Sequence, residues 1–145
     1  MMIEIIKFGE TAITHWVNQL MKEIEDNPNE FISVGRITDG DDNYSFVGLF
    51  KDKCTIGKYS ALLHEWGTND AKSGEGGRGF IKMNIFLEEK NINVLDMELS
   101  DIDAKKIGYT TASRFSRLDD WNDRVKVWQK YINRLEYTLE LRSKK

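Results

Sequence analysis

The chain has one cysteine, one proline and two histidines in 145 residues, and each scarcity removes a class of chemistry. A single thiol, Cys54, can form neither an internal disulfide nor a multi-cysteine zinc site; it fits a reducing compartment. His15 and His64 fall in separate predicted helices, and no H-E-x-x-H or Cys/His cluster accompanies them, so neither a metal nor another cofactor is expected. No apolar run approaches the ~18 residues of a membrane span. Met1-Met2-Ile3-Glu4 lacks the basic start and long apolar core of a signal peptide. The expectation is a cytoplasmic protein with no membrane partner. Repeats, low-complexity tracts and linkers are also missing, which points to a single globular domain over 1–145.

What is present is globular composition, 40% hydrophobic and 11% aromatic, enough to build a core without a staple. The charge is lopsided. Residues 1–103 carry 10 Lys/Arg against 19 Asp/Glu, a net of −9, while residues 104–145 carry 11 against 5, a net of +6. Any electrostatic grip is therefore expected from the last third. Abundant Ile, Lys, Asn and Glu points to an AT-rich genome, a composition that suits a phage or mobile-element gene.

The patterning predicts an α+β domain: an antiparallel or mixed sheet of about five strands, packed by an N-terminal helix and a long C-terminal helix. Strands are expected at 2–8, 31–37, 44–51 and 92–99, with a hairpin turn at 38–43 and a short further strand near Cys54–Gly57. Ile13, Trp16, Val17, Leu20, Met21 and Ile24 at 3–4 spacing predict the first helix, stopped by Asn27-Pro28-Asn29. Residues 58–67 read as a brief helix closed by Gly67 and 68–79 as a glycine-rich loop. Residues 80–87 read as a strand with Ile81, Met83, Ile85 and Leu87 on one face. Ser100, with Asp103 three residues on, caps a short helix to Gly108. Leu118, Trp121, Val125, Trp128, Ile132, Leu135 and Leu139 recur at intervals of 3 and 4, predicting a helix over 117–142 with Ser116 and Asp119 as its capping pair. That seam fits a helix lying on a sheet, or a homodimer through the last helix.

Several segments resemble sites in letters only. Gly74-Glu75-Gly76-Gly77-Arg78-Gly79 spells G-x-G-x-x-G, but with a helix predicted before it and a strand after it, the context is wrong for a dinucleotide fingerprint. A surface loop presenting Arg78 is expected. The acidic turn Asp39, Asp41, Asp42, Asn43 fails as an EF-hand loop, because Tyr44 and Phe50 stand where glycine and glutamate are needed. Residues 100–118 have partial helix-turn-helix spacing, with Thr110, Thr111, Ser113, Arg114 and Arg117 in contact positions. Asp103 occupies a site in that pattern that is usually apolar. The same hydroxyls and arginines, just before a helix, could hold a phosphate.

With no catalytic constellation in view, the leading expectation is a small non-catalytic binding protein acting on another protein, of inhibitor, adaptor or immunity and counter-defence type. The alternative is a nucleic-acid or nucleotide binder using residues 104–117 and the C-terminal tail, and an enzyme on a phosphorylated small molecule ranks third. The ligand-contact candidates for phosphate or partner are Arg78, Thr110, Thr111, Ser113, Arg114 and Arg117.

Overall fold

A computed structural model describes residues 2–9, 14–69, 74–109, 113 and 116–136. In chain order they form β1 (Met2–Gly9), α1 (Thr14–Asp26), β2 (Phe31–Thr38), β3 (Asn43–Lys51), β4 (Lys58–Asn69), α2 (Gly74–Glu89), β5 (Val94–Glu98), α3 (Asp101–Ile107) and α4 (Trp121–Ile132), the last continued by a 3-10 turn at Asn133–Leu135. The strands make one mixed sheet in the order β1-β4-β3-β2-β5. β1 runs parallel to β4 and β2 parallel to β5, while β3 is antiparallel to both of its neighbours. Four strands thus point one way, with β3 alone opposed between them.

Each face of the sheet carries its own core. Val34, Phe46 and Phe50 meet Val17, Leu20 and Ile24 of α1 and Met83, Phe86 and Leu87 of α2. Ile37, Val47, Leu49, Ala61, Leu63 and Met97 face the other way, against Ala104 and Ile107 of α3, Trp128 and Ile132 of α4, and Leu135. The α+β class, the mixed five-stranded sheet and the covering N- and C-terminal helices are as the patterning predicts.

Three expected elements are corrected. Residues 54–57 are a turn, because Asp52 Oδ1 accepts the Cys54 and Thr55 N–H groups at 2.7 and 3.0 Å and Gly57 takes φ 82°. Residues 58–67 are strand, not helix: β4 lies inside the sheet with cores on both faces, so its apolar run is continuous and shows no alternation. Residues 80–87 are helix, not strand. Met83, Phe86 and Leu87 form its buried stripe, whereas Ile81 and Ile85 are 43% and 50% exposed and imitate a period of two. The glycines just before them belong to the same helix. Gly79 lies where a Cβ would come within 3.2 Å of Val17 and 3.5 Å of Thr68, so its lack of a side chain lets α2 approach α1 and β4. α4 also starts later than predicted, capped by Asp120, whose side chain accepts the Asn122 N–H at 2.7 Å. Trp128, Ile132 and Leu135 of its seam face the sheet; Leu139 lies outside the described residues.

At the middle of β2, a Cβ on Gly35 would stand 2.8 Å from Val47 Cγ1 and 3.4 Å from Leu135 Cδ2. Gly35→Ala is expected to cost about 1–3 kcal/mol in urea unfolding, and Gly35→Ala combined with Val47→Ala to be less destabilised than the sum of the two single changes. An unchanged midpoint for Gly35→Ala would show that β2 and β3 do not approach this closely.

Candidate functional site

The most constrained part of the molecule is a bulge in β4. Phe46 pairs with His64 and Tyr44 with Thr68, so Glu65, Trp66 and Gly67 stand opposite Ser45 alone. Alternation along a strand would send Glu65 and Trp66 to opposite faces. Here Trp66 adopts φ 51°, its N–H leaves the ladder to donate to Ser45 Oγ at 2.8 Å, and both side chains face α4. A bulky residue at positive φ is strained, and bulges of this kind re-aim side chains. Trp66 then donates its indole N–H to the Ile107 carbonyl at 2.6 Å and packs on Trp128 with ring centroids 5.3 Å apart.

Glu65 is 1% exposed and is met by three donors. Arg124 binds it in bidentate fashion, Nε to Oε2 at 3.0 Å and Nη2 to Oε1 at 3.1 Å, and Trp128 Nε1–H donates to Oε2 at 2.7 Å. The third nitrogen of Arg124 donates to the carbonyls of Leu118 and Asp119, so this arginine also ties down the chain entering α4. Arg117 stands farther off, with Nη2 3.8 Å from Glu65 Oε1. Its guanidinium lies over the Tyr109 ring at 4.4 Å, and its Nε is buried without a hydrogen-bond partner.

Two further carboxylates are spent on the same layer. Asp103 accepts Tyr131 O–H at 2.6 Å and Lys130 Nζ at 2.9 and 3.0 Å, and Tyr131 accepts the Ser100 N–H. Burial alone would push the Asp103 carboxyl up; the hydrogen bonds from Tyr131 and Lys130, with the Lys130 charge, outweigh it and hold it below the usual aspartate value. Asp39, in the acidic turn, is also buried. It accepts the Asp41 N–H, the Asn43 amide and the Tyr109 N–H at 3.0, 3.2 and 2.9 Å. The turn thus holds the connection that leaves α3, while Asp41 and Asp42 remain exposed.

The sequence candidates do not converge. Arg78 is exposed on α2, in the layer that packs on the opposite face of the sheet from Arg117. Ser113 is buried and donates to the Gly108 carbonyl at 2.8 Å. Thr110, Thr111 and Arg114 lie outside the described residues. Ser116 does not cap α4; its hydroxyl donates to the Lys105 carbonyl. No described residue between α3 and α4 is α-helical, and α4 begins only at Trp121. Among the described residues of 108–118, namely 108, 109, 113 and 116–118, none belongs to a second α-helix. The glycine motif does follow a strand and open a helix, contrary to expectation. It still is not the dinucleotide unit, because β4 and β5 are separated by β3 and β2. Asp96, in the middle of β5, is held in a bidentate pair by Arg36. That hydrogen bond raises the Arg36 pKa. His15 is exposed beside Trp16, and no cluster of three metal-ligating side chains occurs among the described residues.

No family model, curated protein or solved structure matches the chain. The residues that organise this layer had two sequence signals. Glu65 is the lone charge in the run Ala61-Leu62-Leu63-His64-Glu65-Trp66, and Asp103 occupies an otherwise apolar helical position. Neither signal names its partner.

Glu65→Ala is expected to cost about 3–5 kcal/mol, because it leaves Arg124 buried and uncompensated. Glu65→Leu/Arg124→Met should recover most of that loss, and Arg117→Gln should cost about 1 kcal/mol or less; urea unfolding measures all three. A double-variant loss equal to the sum of the Glu65→Leu and Arg124→Met losses would show that the pair is not coupled. Because Asp103 is depressed in the folded state, its stabilisation is complete above the unfolded aspartate value and fades as pH falls through the folded one. Wild-type stability should drop between about pH 5 and 2, and Asp103→Asn should be less stable at neutral pH with a shallower acid limb. Parallel limbs would mean that Asp103 contributes nothing to acid sensitivity.

Proposed function

We propose that this chain is a non-catalytic binding protein that acts on another protein, as an inhibitor, adaptor or immunity-type factor, in a reducing cytoplasm. One observation carries this. Four of the buried ionisable side chains, Asp39, Glu65, Asp103 and Arg124, are each engaged by two or more internal hydrogen-bond partners that close the fold. A catalytic acid or base needs a lone pair or proton directed at substrate, and these four groups direct theirs at partners inside the fold. The exterior carries the unspent material: exposed Ile56, Ile81, Ile85 and Ile102, and the free thiol of Cys54. No helix among the described residues is long and apolar enough to cross a membrane.

The nucleic-acid alternative draws less support from the same geometry. Ser113 points inward and Arg117 is shared between Glu65 and Tyr109. Arg124 and Lys130 are neutralised by Glu65 and Asp103.

A fluorescence anisotropy titration with labelled duplex DNA and single-stranded RNA tests this proposal. The expected result is no saturable binding at ~50 mM salt. Binding that weakens ten-fold or more between ~50 and ~200 mM salt, and is lost in Arg114→Gln/Arg117→Gln, would overturn it in favour of the nucleic-acid alternative.

A further inference from the structure

Tyr109 is 55% exposed, yet its backbone and one face of its ring are held. Its N–H donates to Asp39 Oδ2 at 2.9 Å, its carbonyl accepts from the Asn43 amide at 3.4 Å, and one face of its ring is covered by Arg117. Just before it, a Cβ on Gly108 would collide with the Ala104 carbonyl and stand 3.2 Å from Asp39 Cβ, so that the backbone entering Tyr109 is seated against both α3 and the β2–β3 turn. An exposed aromatic whose backbone and one face are already fixed loses little conformational freedom on contact with a partner. Tyrosine and arginine are the residue types that dominate binding hot spots for this reason.

On the side of the β2–β3 turn, the surroundings of Tyr109 are acidic. Asp41 and Asp42 sit in the turn that Asp39 anchors, and a Cβ on Gly40 would stand 4.0 Å from Glu98 Oε1 at the end of β5. The chain continues from Glu98 through Leu99, whose N–H donates to the Thr38 carbonyl, to Asp101 in the first turn of α3, beside the exposed Ile102. Asp41, Asp42, Glu98 and Asp101 are all exposed, and none forms an ion pair among the described residues. The rim is bounded by Lys105 and Lys106 in the last turn of α3. Carboxylates that no internal cation neutralises attract a positively charged surface and raise the rate at which it arrives.

We infer that Tyr109, braced by Asp39, Asn43 and Arg117, is the anchor by which this protein docks a basic protein partner, with Asp41, Asp42, Glu98 and Asp101 as the complementary acidic rim. This rests on the binding-protein proposal above and names the surface and the kind of partner.

The test uses a random peptide library displayed on phage, selected on the full chain. Recovered peptides are then synthesised and titrated calorimetrically at ~50 and ~200 mM salt. The inference expects peptides rich in Lys and Arg, weakened at least about ten-fold by Tyr109→Ala. Asp41→Asn/Asp42→Asn/Glu98→Gln/Asp101→Asn should weaken them comparably and flatten the salt dependence. Tyr109→Phe, which keeps the ring, should retain most of the affinity, and that separates lost recognition from a lost fold. Peptides that bind Tyr109→Ala as tightly as wild type would overturn the surface while leaving a binding protein with its contact elsewhere. A library that yields no binder would overturn the surface too. Salt-sensitive binding of DNA or RNA would instead remove the proposal on which the inference rests.

Discussion

A carboxylate sealed beneath a helix costs several kcal/mol unless donors meet it, and the layer of helices on one face of this sheet is arranged around that requirement at Glu65. The bulge supplies the position, since only with extra residues in β4 can Glu65 and Trp66 share a face. Ser45 supplies an acceptor for the N–H that the bulge frees. Arg124 and Trp128 lie one turn apart on α4, the spacing that lets two donors from one helix reach the same carboxylate. The place of α4 along the sheet follows from this: slide it by a turn and a buried acid faces aliphatic side chains. Apolar packing alone would tolerate such slippage more readily, because hydrophobic contact has no direction.

The segregation of charge along the chain takes on a different meaning once the partners are known. A net of −9 followed by a net of +6 suggests an acidic body with a basic appendage. In the fold, cations of the last third turn inward onto acids of the first two: Arg124 and Arg117 onto Glu65, and Lys130 onto Asp103. Opposite charge in distant segments served here to register the C-terminal helix on the sheet. What remains outside near Tyr109 is the acid that this pairing did not consume.

How much was legible in the sequence depended on burial symmetry. β1, β2, β3 and β5 and the helices α1 and α3 could be read because turn residues or amphipathic spacing marked them, as Asn27-Pro28-Asn29 marks the end of α1. β4 could not, since a strand with cores on both faces has no polar face to set its period. α2 was lost for two local reasons. Its glycines serve close approach to α1 and β4, which in letters looks like a loop, and Ile81 and Ile85 on its outer side complete a false alternation with Met83 and Leu87. Those two errors together reversed the context of the glycine motif. The site was less legible still. Arg117 was singled out for its charge, but its relation to Glu65 spans more than fifty residues and a bulge, and no local pattern encodes either. Asp39 looked like a solvated turn residue because its acceptor role depends on Tyr109, which arrives from beyond α3.

The clamp on Tyr109 separates stability from recognition. Asp39 and Asn43 hold its backbone, and Arg117 covers one face of its ring, but none of these needs the exposed edge of that ring. The same carboxylate that closes the α3–α4 connection therefore presents an outer surface whose side chains are free to change. Around Glu65 the reverse holds, because both carboxylate oxygens have donors inside the fold and a change there is felt by α4. On the inference that Tyr109 anchors a partner, a protein built this way could alter what it binds by substitution at Tyr109 and the acidic rim while its sheet, its bulge and its buried pairs stay as they are. Under the binding-protein proposal that division is useful, since a surface that must follow a changing partner is placed on a part of this layer where change is inexpensive to the fold.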